Sequence, residues 1–103
     1  ASALMMTGDK VTSDDAEKMG MIYKVFADET FETESKKITL TLSQMPTKGL
    51  AYTKQALNQS FNNTWDDQLE LEDKYQRKAA STYDYNEGIN SFLEKRKPIF
   101  KGE

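Results

Sequence analysis

The chain has 103 residues, enough for one domain, and carries a net charge of −3 with 30% charged residues. It contains no cysteine and no histidine, so these residues hold no disulfide, thiolate, histidine acid–base pair or zinc site of the usual ligand types. The acidic balance argues against general nucleic-acid binding, no apolar run is long enough to span a membrane and no signal peptide is visible; a soluble, cytoplasmic protein is expected.

The opening "ASALMMTGDK" begins inside a helical pattern without an initiator methionine, with Ser2 its only available cap. Such a start is expected of a piece cut from a longer protein. Gly8 stands where a helix leaves through a left-handed residue. A second short helix follows in "TSDDAEKMG", capped by Thr12 or Ser13, with Asp14 and Asp15 in its first turn and Gly20 as its stop. "MIYKVF" is apolar, β-branched and aromatic, and predicts at most one short strand near Met21–Phe26.

Four longer helical patterns come next. Phe31, Ile38, Leu42 and Met45 share one face of a helix that Pro46 ends. Thr47 is placed to cap the next, whose stripe is Leu50, Leu57 and Phe61, with Ala56 alongside. Asn62 and Asn63 make a turn. Thr64 then caps a helix running to about Ala80, its acids early and its bases late, in keeping with the helix dipole. The last helix is expected to start near Asp84, with Asp84 and Glu87 as a capping box and Ile89, Phe92 and Leu93 as its stripe. Pro98 is expected to end it. The fold class is therefore mainly α, with five to six helices and short loops that favour antiparallel neighbours. Apolar residues make up only 37% of the chain, a thin core that suits a piece leaning on something else.

Few residues invite a chemical reading. The pairs Asp14/Asp15, Asp66/Asp67 and Asp84/Glu87 resemble acid–base dyads, but all three fall at predicted helix starts, where free N–H groups stabilise carboxylates. A catalytic carboxylate needs a buried, shifted environment. Met5, Met6, Met19 and Met21 fit packing better than a ligand pocket, and Lys48 and Lys54 read as solvated. The closing "EGINSFLEKRKPIFKG" is the most informative stretch. Phe92 and Lys95 are three residues apart, a spacing that shares a helix face and can offer a ring to a purine and an ammonium to a phosphate. Arg96, Lys97 and Lys101 add positive potential. Spacing alone equally allows cations that complement a helix C-terminus and a core phenylalanine.

In this order, "LMMTGDKVTSDDAEKMGMIYKVF", "LSQMPTKGLAYTKQALNQSF" and "LELEDKYQRKAASTYDYNEGINSFLEKRKPIFKG" resemble the C-terminal part of the crotonase superfamily, the enoyl-CoA hydratases and isomerases. The shared features are the Thr-Gly-Asp turn, the acidic-alanine helix ending in glycine, the proline before a lysine-bearing helix, and the closing Asp-x-x-Glu-Gly, Phe, Lys-Arg-x-Pro-x-Phe-x-Gly. Within the family, the second half is most similar to the phenylacetate-pathway isomerases that act on the ring-epoxide of phenylacetyl-CoA.

The resemblance implies that residues 1–103 form one helical domain, the C-terminal part of a larger enzyme. That enzyme stabilises a thioester enolate, takes a coenzyme A thioester as substrate and needs no metal or redox cofactor. The resemblance places the oxyanion hole and catalytic carboxylates before Ala1, so no catalytic residue is expected in this chain. The expected partners are the N-terminal crotonase core of the same protein, further copies in a trimer or dimer of trimers, and acyl-CoA. Phe92 and Lys95 match the phenylalanine and lysine with which related hydratases reach a neighbouring subunit's coenzyme A; Arg96, Lys97 and Lys101 are weaker candidates. A stand-alone helical interaction module is the alternative reading.

Overall fold

The computed structural model describes residues 2–103. Among these, six helices follow one another: α1 (Ser2–Thr7), α2 (Ser13–Lys18), α3 (Asp28–Ser43), α4 (Thr47–Ser60), α5 (Trp65–Ala80) and α6 (Tyr83–Leu93). No strand forms among the described residues. The chain divides into two units, one ending at Lys36 and the other running Lys37–Glu103, with the boundary inside α3.

In the first unit, local capping sets the ends. Gly8 adopts φ 67° and its N–H donates to the Leu4 carbonyl at 3.0 Å, closing α1. Thr12 caps α2 by accepting from the Asp15 N–H at 3.2 Å. At the other end Gly20 (φ 73°) donates to Glu17 and Met21 donates to Ala16, the paired bonds of a Schellman motif. The "MIYKVF" segment has no neighbouring strand to pair with. Instead Glu17 reaches across and accepts from the Val25 N–H at 2.8 Å and from Lys24 Nζ at 3.3 Å. The Val25 N–H is the main reason the Glu17 carboxyl lies below its usual pKa. A backbone donor that a sheet would use is thus consumed by a side chain.

In the second unit, α4 and α5 pair in opposite directions: Tyr52 stacks on Tyr75 with centroids 5.4 Å apart, while Gln68 Nε2 donates to the Ala56 carbonyl. Thr64 caps α5 as expected, accepting from the Asp67 N–H at 3.3 Å. Thr47 does not cap α4. It is the first helical residue, preceded by Pro46, and no side chain caps that end. Ser81 and Thr82 alone connect α5 to α6. After α6 the chain turns back along the helix it has just left, so that Phe100 lies over Gly88 and Gly102 comes against Thr47.

No apolar side chain among the described residues is fully buried. The apolar stripes predicted from periodicity exist, but Leu57, Phe61, Phe92 and Leu93 face outward in this chain. Three residues are well shielded, and all are polar: Asp84, Glu87 and Ser91, at 2%, 8% and 3% exposure.

Gly102 has φ 76°, and a β-carbon there would sit 2.7 Å from Thr47 Oγ1. Gly102→Ala is expected to lower stability by about 1–3 kcal/mol, measured by urea denaturation. Adding Thr47→Ala relieves the clash but not the left-handed strain, so it recovers only part of the loss.

Candidate functional site

The site is assembled from α6 and the tail that follows it. Thr82 caps α6, accepting from the Tyr85 N–H at 3.2 Å. This corrects the expected capping box: the helix starts at Tyr83, so Asp84 and Glu87 lie inside it, one turn apart on one face. Freed from capping, both carboxylates hold the tail. Glu87 receives Arg96 through two parallel bonds, Nη1 to Oε1 and Nη2 to Oε2, the second at 2.9 Å. Glu87 Oε1 also accepts from the Ile99 N–H at 2.8 Å. Asp84 accepts from the N–H groups of Lys101 at 2.7 Å and Gly102 at 2.9 Å, and its own N–H donates to the Glu103 carbonyl. Charge-assisted bonds of this kind are the strong ones, and the forked Arg–carboxylate pair also fixes geometry.

Two further expectations need correction here. The last helix ends at Leu93, well before Pro98. A second Schellman motif stops it, with Lys95 donating to Phe92 at 3.2 Å and Arg96 donating to Ser91 at 3.0 Å. Lys95 therefore lies beyond the helix and does not share a helix face with Phe92. It occupies the left-handed position, at φ 54°, the one non-glycine residue among those described to do so. In α2 the equivalent position is Gly20.

The candidate ligand residues separate into two groups. Phe92, 82% exposed, projects from the last turn of α6. Lys95 and Lys97 are exposed, and their ammonium groups meet no carboxylate among the described residues. Arg96 is committed inward: besides Glu87, its Nε bonds Glu94, and these partners raise its already high pKa. The Lys101 ammonium lies 4.2 Å from the centroid of the Tyr83 ring. Beside α6, an open apolar groove of about 540 Å³ has Gly49, Ala79, Tyr85, Gly88, Ile89 and Phe100 in its walls, with Phe92 and Leu93 also lining it.

The remaining candidates keep their plain readings. Asp14, Asp15, Asp66 and Asp67 stand in first turns, and Lys48 and Lys54 are exposed. Among the described residues no group of three or more acidic side chains is placed to hold a metal, and no helix is long and apolar enough to cross a membrane. Periodicity missed the clasp. The available signal was an Asp-x-x-Glu-Gly sequence within reach of a downstream Pro-x-Phe-x-Gly tail, whose backbone N–H groups have no helix to bond and must find acceptors elsewhere.

Comparison with known proteins defines the class. The model of the enoyl-CoA hydratase/isomerase family matches residues 1–103, and the chain belongs to that family. It is 41% identical over 103 residues to the 1,2-epoxyphenylacetyl-CoA isomerase of Escherichia coli K12, covering all of this chain and 39% of that protein. It is 29% identical over 103 residues to the mitochondrial enoyl-CoA hydratase of Pongo abelii, covering 36% of it. An enoyl-CoA hydratase subunit from Geobacillus kaustophilus superposes with TM-score 0.88 at 28% identity, over 94% of this chain and 38% of that one. The chain thus spans well under half the length of the relatives it matches.

Arg96 first, then the Ile99 N–H, hold the Glu87 carboxyl at about 2, below its ordinary 4.5. Because the folded value is the lower one, the clasp contributes its stability in full above about pH 4.5 and loses it as the pH falls from there towards 2. An NMR titration of the Glu87 side-chain carboxyl is expected to give a midpoint near 2. Arg96→Met should move that midpoint upward, with the Ile99 N–H still keeping it below 4.5.

Proposed function

We propose that this chain is the C-terminal helical region of an acyl-CoA hydratase or isomerase, and that it offers one ring and one ammonium to the nucleotide end of a coenzyme A thioester. Phe92 stacks on the purine, and Lys95 pairs with a phosphate of the ligand held by a neighbouring copy in a trimer or dimer of trimers. The groups that stabilise the thioester enolate, and the carboxylates that move the proton or water, belong to the N-terminal core outside these residues. The 41% identity to an isomerase of epoxidised phenylacetyl-CoA supports a ring-epoxide thioester as substrate and a cytoplasmic setting in aromatic-acid breakdown. Arg96 and Lys101, already engaged with Glu87 and Tyr83, act on the tail rather than on the ligand; Lys97 supplies background potential.

The observation that carries this reading is the conformation of Lys95. A left-handed non-glycine residue costs about 1–2 kcal/mol, and glycine would remove that cost, as Gly20 does in α2. A lysine in that position, next to an exposed phenylalanine and with an unpartnered ammonium, fits a side chain kept for an outside anion. The exposed apolar faces of α4 and α6 and the groove beside α6 fit burial against the core and against neighbouring copies. The same faces would serve a stand-alone interaction module, for which a native start codon directly before Ala1 would be the evidence.

In the intact enzyme, Lys95→Gly is expected to raise thermal stability by about 1 kcal/mol while raising KM for the ring-epoxide coenzyme A thioester about tenfold. A KM unchanged by both Lys95→Gly and Phe92→Ala would remove the ligand role. The 103-residue chain alone should bind coenzyme A no more tightly than about 1 mM and should not turn over a 2-enoyl-CoA. Micromolar binding by calorimetry, or measurable hydration, would place a complete site inside these helices.

A further inference from the structure

The cations of the closing segment fall on opposite sides of one turn. Arg96 points inward, its guanidinium held by both oxygens of Glu87 and by Glu94, whereas the ammonium of its neighbour Lys95 is left outside. Two sets of bonds fix the residues around Lys95. On the helix side the Schellman pair ties Lys95 and Arg96 to Phe92 and Ser91. On the tail side Glu87 holds Arg96 and Ile99, and Asp84 holds Lys101 and Gly102. The reversal is thus fastened on both sides of its least favourable residue. A left-handed lysine persists only where the surroundings over-determine it, and Glu87 supplies the hydrogen bonds from α6 to the tail that lie nearest Lys95, ahead of the apolar contact of Phe100 with Gly88 and the bonds of Asp84.

We propose that Glu87 is a positioning residue for ligand recognition: by clamping Arg96 and the Ile99 N–H, it holds Lys95 in the left-handed conformation that leaves its ammonium exposed on the turn following Phe92, so that the nucleotide end of an acyl-CoA meets a preformed contact. The inference rests on Lys95 being a ligand residue. Glu87 touches neither ligand nor reacting atoms. It sets the fraction of molecules in which Lys95 is correctly placed, and apparent affinity falls in proportion to that fraction. Asp84 fastens the end of the tail and has a smaller share in the same task.

The test uses the intact enzyme and two substrates with the same acyl group: the ring-epoxide of phenylacetyl-CoA, and the corresponding N-acetylcysteamine thioester, which lacks the nucleotide. Glu87→Gln removes the charge that holds Arg96. It is expected to raise KM for the coenzyme A substrate about tenfold with kcat little changed. The same variant should leave kcat/KM for the truncated thioester as it is in the wild type. Lys95→Ala should show the same pattern. If Lys95→Ala does so and Glu87→Gln does not, the positioning role is overturned while the ligand role of Lys95 survives. If Lys95→Ala leaves the preference for the coenzyme A substrate intact, the ligand reading itself fails and takes this inference with it. If Glu87→Gln lowers activity on both substrates by the same factor, Glu87 merely supports the fold and the proposal is wrong. Glu87→Asp, which keeps the charge but draws the carboxylate back by one methylene, carries the same comparison should Glu87→Gln not yield soluble enzyme.

Discussion

The second unit depends on the capture of a non-helical tail by two carboxylates of α6. A segment containing Pro98 and a left-handed Gly102 cannot continue a helix, and it pairs with no strand. Its N–H groups must still be satisfied wherever water is excluded. Asp84 and Glu87 supply those acceptors, one turn apart, so the tail runs back along the helix in a single register. Between these two attachments Phe100 lies over Gly88. Both carboxylates making these bonds are among the three well-shielded residues, and no apolar residue among those described is buried as deeply. A buried carboxylate without partners would be costly. Here Glu87 meets a guanidinium and an N–H, and Asp84 meets two N–H groups, so burial strengthens the attachment.

From this follows the division of labour among the cations. A run of Lys-Arg-Lys looks uniform in sequence, and the clasp makes it heterogeneous. Arg suits the inward position because its planar fork matches a carboxylate in two bonds, while lysine is a flexible point charge suited to an anion that arrives from outside. The two Schellman motifs sharpen the contrast. The one ending α2 uses glycine and carries no side chain at its left-handed residue; the one ending α6 accepts the strain of a lysine at the same place. Identical backbone geometry thus has a purely structural use in one helix and presents a charge in the other.

What could be read from the sequence divides along the same line, between local and non-local causes. Thr64 was legible as a cap, and the cap of α2 as Thr12 or Ser13, of which Thr12 makes the bond, because a cap is settled within four residues. The helical count and the near absence of strand followed from periodicity and short loops. The start of α6 was misplaced because Asp84 and Glu87 fit the capping-box spacing as well as they fit one face of a helix, and what decides between the two lies 9 to 18 residues downstream. The end of α6 was misplaced because Pro98 is a strong stop, yet the chain had already reversed at Lys95 through bonds that any residue types can make. Glu17 misled for a similar reason: "MIYKVF" has strand-like composition, but a carboxylate eight residues earlier takes the N–H of Val25. In each case the residue types were visible and the partner was not.

The apolar stripes teach the converse lesson. Periodicity located the apolar faces of α4 and α6 correctly, yet Leu57, Phe61 and Leu93 have no cover within the chain. A face is a property of one helix, whereas burial belongs to whatever the helix meets. The relatives extend far beyond these residues, which accords with the proposal that these faces meet a core and neighbouring copies; within the chain, the part closed by directional bonds is the tail. An apolar contact tolerates a slip of an ångström or two at modest cost. A forked ion pair and a row of N–H donors do not, so directional bonds hold the segment next to Phe92 and Lys95, while the apolar faces of α4 and α6 stay exposed in this chain.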